Sequence, residues 1–428
     1  MRSKKLFFTS VVLLVLVVFL FVGSVGASEM WSQTYGNGKE GTPSLVETSD
    51  GGFAIAGTTG SLGAGGNDFW LIKTDSYGNM EWNQTYGGAE HESAKKVIVT
   101  SDGGFALVGG TYSFGAGHED FWLVKTDSYG NMEWNQTYGG PGSDFARSLI
   151  ETSDGGYAIG GSFDPSYEDA FDCDSWLVKT DNYGNMQWNR TYSDLPLNYC
   201  SDLVETSDGG YLLAGTTGRR YFEANMWIIK TDEHGNMEWN QTYGGREDTE
   251  SRSLVKTSDG GYAIAGIIKD SFGHYDFWLV KTDGSGNMRW NQTYGGAGRE
   301  TAHSLVVTSD GGYALAGVTS GGIGNQSYID ALMVKTDADG NKIWNQIYGG
   351  TGDQYIFSLV ETSDGTFALA GFTCSTYAGP IDLWLIKTDE YGYIPEFPSW
   401  TPILFMLTIV AVVIYKRKLP KTPKPQSY

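Results

Sequence analysis

From residue 31 to residue 389 one arrangement of apolar and polar positions recurs seven times, in copies spaced 51 to 54 residues apart. In the first copy Ser44 to Thr48 reads as a strand, a, and Ser49-Asp50-Gly51-Gly52 as a tight hairpin turn leading into a second strand, b, at Phe53 to Thr58. A glycine-rich loop leads to strand c, Asp68 to Thr74. The turn Asp75-Ser76-Tyr77-Gly78-Asn79 supplies positive-φ residues, and strand d runs from Met80 to Tyr86. Helical periodicity is absent. Strand b is apolar on both sides, which requires a sheet covered on both faces.

Three markers fix the register of the copies. The Ser-Asp-Gly-Gly turn or a near match starts at Ser49, Ser101, Ser153, Ser207, Ser258, Ser309 and Ser363; each strand c ends in Lys-Thr-Asp; and each strand d carries Trp-Asn-Gln-Thr-Tyr or a variant of it. Four-stranded blades packed around an axis give every blade two covered faces, so the pattern predicts an all-β fold, a seven-bladed β-propeller of four-stranded antiparallel blades. The phase of the repeats agrees. The region opens with a lone d strand, Trp31 to Tyr35, and closes with a c strand, Trp384 to Lys387, that no d strand follows. Residues 30–36 therefore complete the last blade and close the ring without a bare edge.

Both ends of the chain carry membrane signals. Arg2, Lys4 and Lys5 precede an apolar run from Leu6 to Val22 and a small-residue site ending at Ala27, so residues 1–27 read as a signal peptide, with an uncleaved anchor as the alternative. The propeller then occupies 28–394, a short Pro-containing linker 395–399, an apolar transmembrane segment 400–415, and a basic cytoplasmic tail 416–428. The expected arrangement is a single-pass cell-membrane protein with the repeats outside.

Ile394-Pro395-Glu396-Phe397-Pro398, followed by the apolar segment and Lys416-Arg417-Lys418, resembles the PEF-CTERM sorting signal of archaeal surface proteins. That resemblance implies processing by an archaeosortase and a lipid anchor in the mature protein; an ordinary single-span anchor is the other reading. The repeats themselves resemble kelch blades, with an apolar strand ending in glycine, an aromatic strand, a turn and a Trp, although the kelch double glycine appears only at Gly109-Gly110 and Gly160-Gly161. This implies a fold and no partner.

Composition adds limits. A formal net charge of -21 with no basic run among the repeats argues against nucleic acid as a partner. Of three cysteines, Cys173 and Cys200 fall in neighbouring loops on one face and are expected to pair, leaving Cys374 free. No linear catalytic signature is present, so no catalytic residue and no cofactor other than calcium is named; catalytic groups drawn from different blades would leave no linear motif, which keeps an enzyme open as the alternative.

Differences between copies point to a binding face. The a–b and c–d turns are nearly constant, whereas the b–c and d–a loops vary, and in a meander these lie on opposite faces. Asp164, Glu168, Asp169, Asp172 and Asp174 crowd one variable loop, reading either as oxygen ligands for calcium or as a solvated acidic loop. The residue expected just before each strand a, at the channel mouth, is Pro43, Lys95, Arg147, Ser201, Arg252, His303 or Phe357. Lys95, Arg147, Arg252 and His303 could focus an anion there, or pair with nearby acidic loops; Tyr221, Phe222, Tyr275 and Tyr328 add aromatic surface for a sugar or peptide. Asn83, Asn135, Asn189, Asn240, Asn291 and Asn325 begin glycosylation sequons, five of them inside the repeated d strand. The leading expectation is a binding or adhesion module for a surface protein or glycan. An extracellular polysaccharide hydrolase or lyase is the alternative, and a structural envelope protein the third.

Overall fold

The computed structural model describes residues 30–38, 40–164, 173–193, 197–219, 222–245, 248–269, 273–296, 298–320, 328–350, 352–374 and 381–394. The expected signal peptide, linker, transmembrane segment and tail lie outside these residues. Among the described residues no helix is long and apolar enough to cross a membrane.

Trp31–Ile394 form one unit. In it, seven four-stranded antiparallel sheets follow one another, each ordered a–b–c–d. Blade 1 has strands a at Glu40–Glu47, b at Phe53–Thr59, c at Asp68–Thr74 and d at Met80–Tyr86. In blade 7, strands a (Gln354–Glu361), b (Phe367–Cys374) and c (Ile381–Thr388) are joined by Trp31–Gly38, which pairs with Ile381–Thr388 and supplies the fourth strand. The ring thus closes as the phase of the repeats requires. Trp31 lies opposite Lys387, so the chain enters and leaves on the face of the uniform turns.

The core lies between blades. Along strand b large and small residues alternate, and the two faces meet different neighbours: Phe53 and Ile55 pack with Leu383 and Leu385 of blade 7, while Ala54 and Ala56 pack with Val97, Leu107 and Trp122 of blade 2. A pleated strand sends successive side chains to opposite faces, so one strand serves two interfaces.

The repeated motifs are explained by contacts between blades. In each strand d the Tyr hydroxyl donates to the carbonyl of the c–d turn glycine of the next blade: Tyr35 to Gly78, Tyr86 to Gly130, Tyr138 to Gly184, Tyr192 to Gly235, Tyr243 to Gly286, Tyr294 to Gly340 and Tyr348 to Gly392, at 2.5 to 2.8 Å. The Trp of the same strand covers the same glycine, as Trp82 covers Gly130. This accounts for the turn Asp389–Tyr393, which is kept although no d strand follows it in the chain: Tyr348 and Trp344 grip Gly392. Within each blade the Lys of Lys-Thr-Asp is buried and pairs with the Asp of the a–b turn, as Lys73 with Asp50 and Lys387 with Asp364, both at 2.8 Å. Ser101, Ser153, Ser309 and Ser363 also donate to Glu151, Glu205, Glu361 and Glu47 of the following blade. The uniform face is therefore occupied by structural bonds.

Candidate binding site at the channel mouth

Strand a is the innermost strand, and it is not regular. Its pairing with strand b breaks once in every blade, between Gly41 and Ser44, Ala94 and Lys96, Ala146 and Ser148, Cys200 and Asp202, Ser251 and Ser253, Ala302 and Ser304, and Ile356 and Ser358. The residues left unpaired include Pro43, Lys95, Arg147, Ser201, Arg252, His303 and Phe357. A β-bulge re-aims a side chain, and all seven of these residues line one cavity of about 270 Å³ on the axis. The sequence placed these residues just ahead of strand a; the strand extends past them in both directions, and the bulge is what presents them.

The next position along strand a reads Ser44, Lys96, Ser148, Asp202, Ser253, Ser304 and Ser358, and it ties neighbouring a strands together. The Leu45 and Leu359 amides donate to Ser358 and Ser304 at 3.1 Å, and the Val97 amide donates to Ser44 at 3.2 Å. Asp202 accepts from Ser148 Oγ at 2.6 Å and from the Leu254 amide at 2.9 Å. Lys96 and Asp202 were not singled out from the sequence, yet aligning the copies exposes them as the two departures from a serine column.

The cavity has two arcs. Blades 2 to 5 contribute Lys95, Arg147, Ser201 and Arg252, and blades 6, 7 and 1 contribute His303, Phe357 and Pro43. The Arg147 guanidinium lies 4.9 Å over the Tyr199 ring. Arg252 donates to Glu250 at 2.7 Å, while its Nε is buried without a hydrogen-bond partner. Loss of hydration around the amine, then the adjacent Arg147, pushes Lys95 below its usual range against the opposing pull of Glu119, although the residue as a whole is exposed. Burial raises Glu119 in turn. Burial, with Arg252 beside it, lowers His303 to about 3, so its ring is neutral. That ring packs 4.8 Å from Phe357, which stacks with Tyr355 and Phe372. Of the two readings of the mouth cations, pairing describes Arg252 well, whereas Lys95 and Arg147 have no ion pair among the described residues.

The remaining candidates are placed elsewhere. Tyr275 sits between Arg299, 4.5 Å from its ring centroid, and Lys269, at 5.8 Å, away from the cavity lining. Tyr328 is half-buried, one residue ahead of the c strand Ile329–Thr336. Tyr221, the Phe222 side chain, Glu168, Asp169, Asp172 and Asn325 lie outside the described residues. Asp164 is buried, and its amide donates to Asp144 at 3.0 Å. Asp174 begins its strand half-buried. No group of three or more His, Cys, Asp or Glu side chains among the described residues is arranged to hold a metal ion.

The expected Cys173–Cys200 bridge is corrected: all three cysteines are free thiols. Cys173 Sγ is directed to the Asn198 carbonyl at 3.3 Å, while Cys200 is turned into the core beneath Gly160 and Leu203 and bonds the Asp202 carbonyl. Shared loops brought the two residues near each other, but strand alternation sends the Cys200 side chain inward. The sequon asparagines Asn83, Asn135, Asn189, Asn240 and Asn291 have a structural partner, since each Oδ1 accepts from a strand-c Trp indole at 3.0 to 3.3 Å.

No protein-family model matches the chain. It is similar to the regulatory protein FlaEY of Caulobacter vibrioides, 25% identical over 341 residues that cover 72% of this chain and 33% of that protein, so it spans about a third of the relative's length. Among solved structures it is similar to puromycin hydrolase, with a TM-score of 0.53 and 13% identity over 82% of this chain and 52% of that one. At that identity the second likeness is one of fold, and it extends to about half of the hydrolase chain.

Proposed function

We propose that this chain is a binding propeller, displayed at a cell surface through its C-terminal apolar segment, that engages a surface protein or glycan through its channel mouth and its b–c and d–a loops. One observation carries the reading. In all seven blades the uniform face is taken up by repeated structural bonds, whereas the bulge column presents six different residue types into a single cavity. A rigid scaffold whose uniform face repeats in every blade, while a ring of inward-aimed side chains varies, is suited to presenting those side chains. Similarity to a protein named as regulatory agrees with a role in recognition. The C-terminal segment resembles an archaeal sorting signal, and in the alternative form of this reading an archaeosortase removes it and a lipid takes its place as the anchor. The test is a glycan and peptide array probed with the purified protein, with turnover assayed on every hit. Binding without turnover supports the proposal; turnover overturns it in favour of a hydrolase or lyase, and the absence of any hit overturns it in favour of a structural role.

A further inference from the structure

We propose that the channel mouth holds an anionic sugar, a uronate whose carboxylate meets the cationic arc and whose C–H face lies on the apolar arc. This names the ligand class for the binding function proposed above and rests on that reading.

Charge is the first argument. The chain has 29 Lys and Arg against 50 Asp and Glu, yet the cavity lining includes Lys95, Lys96, Arg147 and Arg252 against one acid, Asp202. Both Asp202 oxygens are already engaged by Ser148 and by the Leu254 amide. Arg147 lies close enough to disfavour the charge on Lys95, with Glu119 the nearby acid that partly offsets it. Neither has an ion pair among the described residues, and Arg252 keeps a buried Nε donor unused. A buried donor without an acceptor is uncommon in a folded protein, so the Arg252 guanidinium at the cavity wall is not fully satisfied by Glu250. A carboxylate at this point relieves the repulsion and accepts from more than one donor.

Shape and polarity argue for a sugar over an inorganic anion. A cavity of about 270 Å³ lies just below the range of sites for drug-sized ligands, which suits one ring and excludes a folded partner segment. Opposite the cations, neutral His303 and Phe357, backed by Tyr355 and Phe372, form an aromatic wall. A bare anion gains nothing from that wall, whereas the C–H face of a pyranose stacks on it.

The experiment is calorimetric titration of the full-length protein in detergent with methyl glucuronide, methyl galacturonide, methyl glucoside and sodium sulfate. At least one uronide should bind, the neutral glucoside should bind at least about tenfold more weakly, and Arg147→Ala should weaken the uronide by about tenfold, the worth of one charge-assisted hydrogen bond. Phe357→Ala should weaken the uronide as well, and a several-fold loss is expected when salt rises from roughly 50 to roughly 500 mM. Lys95→Gln provides a second charge deletion if Arg147→Ala melts early. Equal affinity for glucoside and uronide overturns the inference, as do sulfate binding as tightly as the uronide, failure of every ligand, and retained uronide binding in both charge variants. Array hits that survive Arg147→Ala would keep the loop-face reading while removing the channel site; an array without hits removes both.

Discussion

Replacing Gly130 by Ala isolates the contact that joins blade to blade. Gly130 has φ of 77°, and an added Cβ would stand 2.6 Å from Trp82 Cζ3 and 2.9 Å from Gln84 Cγ. Trp82 has little room to withdraw, because it packs edge-on against Phe105 at 5.9 Å. The Gly130 carbonyl also accepts the Tyr86 hydroxyl at 2.6 Å. Three effects add: left-handed backbone strain of about 1–2 kcal/mol, displacement of a packed aromatic of about 1–3 kcal/mol, and weakening of a buried hydrogen bond of about 1 kcal/mol. Gly103 is the control. Its φ is 84°, but nothing lies within 4 Å of an added Cβ, so Gly103→Ala incurs the backbone strain alone. The difference between the variants in equilibrium urea unfolding should be about 2–4 kcal/mol. Shortening the neighbour in Gly130→Ala/Trp82→Leu should recover part of that difference, as a double-mutant cycle of contacting residues requires. Equal losses for Gly103→Ala and Gly130→Ala would refute the latch, since they would leave turn conformation as the whole effect.

Other consequences are testable in the same protein. Deleting residues 28–36 removes the fourth strand of blade 7 and the Tyr35 and Trp31 contacts to Gly78, so light scattering should show aggregation through the bared edge of Ile381–Thr388; a variant that melts unchanged and stays monodisperse contradicts the closure. The Lys230 hydrogen bond, then that of Thr206, lowers Asp208 to about 2, below its ordinary 3.8; a depressed carboxylate contributes stability above its unfolded pKa, so this contribution should persist to about pH 4 and disappear between there and about pH 2, and Asp208→Asn should flatten that limb of the stability curve. Asp144 has the opposite sign: burial, with Asp120 and Asp164 nearby, raises it to about 6, so its ionised form costs stability and the cost is relieved as pH falls from about 6 to about 4, a rise that Asp144→Asn should diminish in thermal melts across that window. Without reductant, a maleimide should label three thiols after denaturation, while in the native state Cys200, 1% exposed and with its thiol pushed well up by burial, should be protected; finding only one reactive thiol after denaturation would restore the disulfide.

What the sequence decided by itself is everything that local rules decide. Strand alternation, the Asp-Gly turns and the fixed period are readable along the chain, and strands c and d of the first copy begin and end in the structure where the pattern puts them. Closure was readable too, because the count of d strands ahead of and behind the repeats is a property of the sequence alone. The roles of the most repeated residues were not. Trp, Tyr and Lys recur because Tyr86 reaches Gly130, 44 residues away, and Lys73 reaches Asp50, 23 residues away, and no one-dimensional pattern states which partner a side chain meets. The bulge is the sharpest case. The repeat pattern placed Lys95 and Arg147 at the channel mouth, just ahead of strand a, but only the packed ring shows that strand a continues past them and breaks its pairing there. The Cys173–Cys200 expectation failed for the same reason. Loop order brings two residues to one face, whereas the side chain's direction follows from the pleat and from the neighbouring blade that must be filled, and in a close-packed interior that neighbour takes Cys200 into the core.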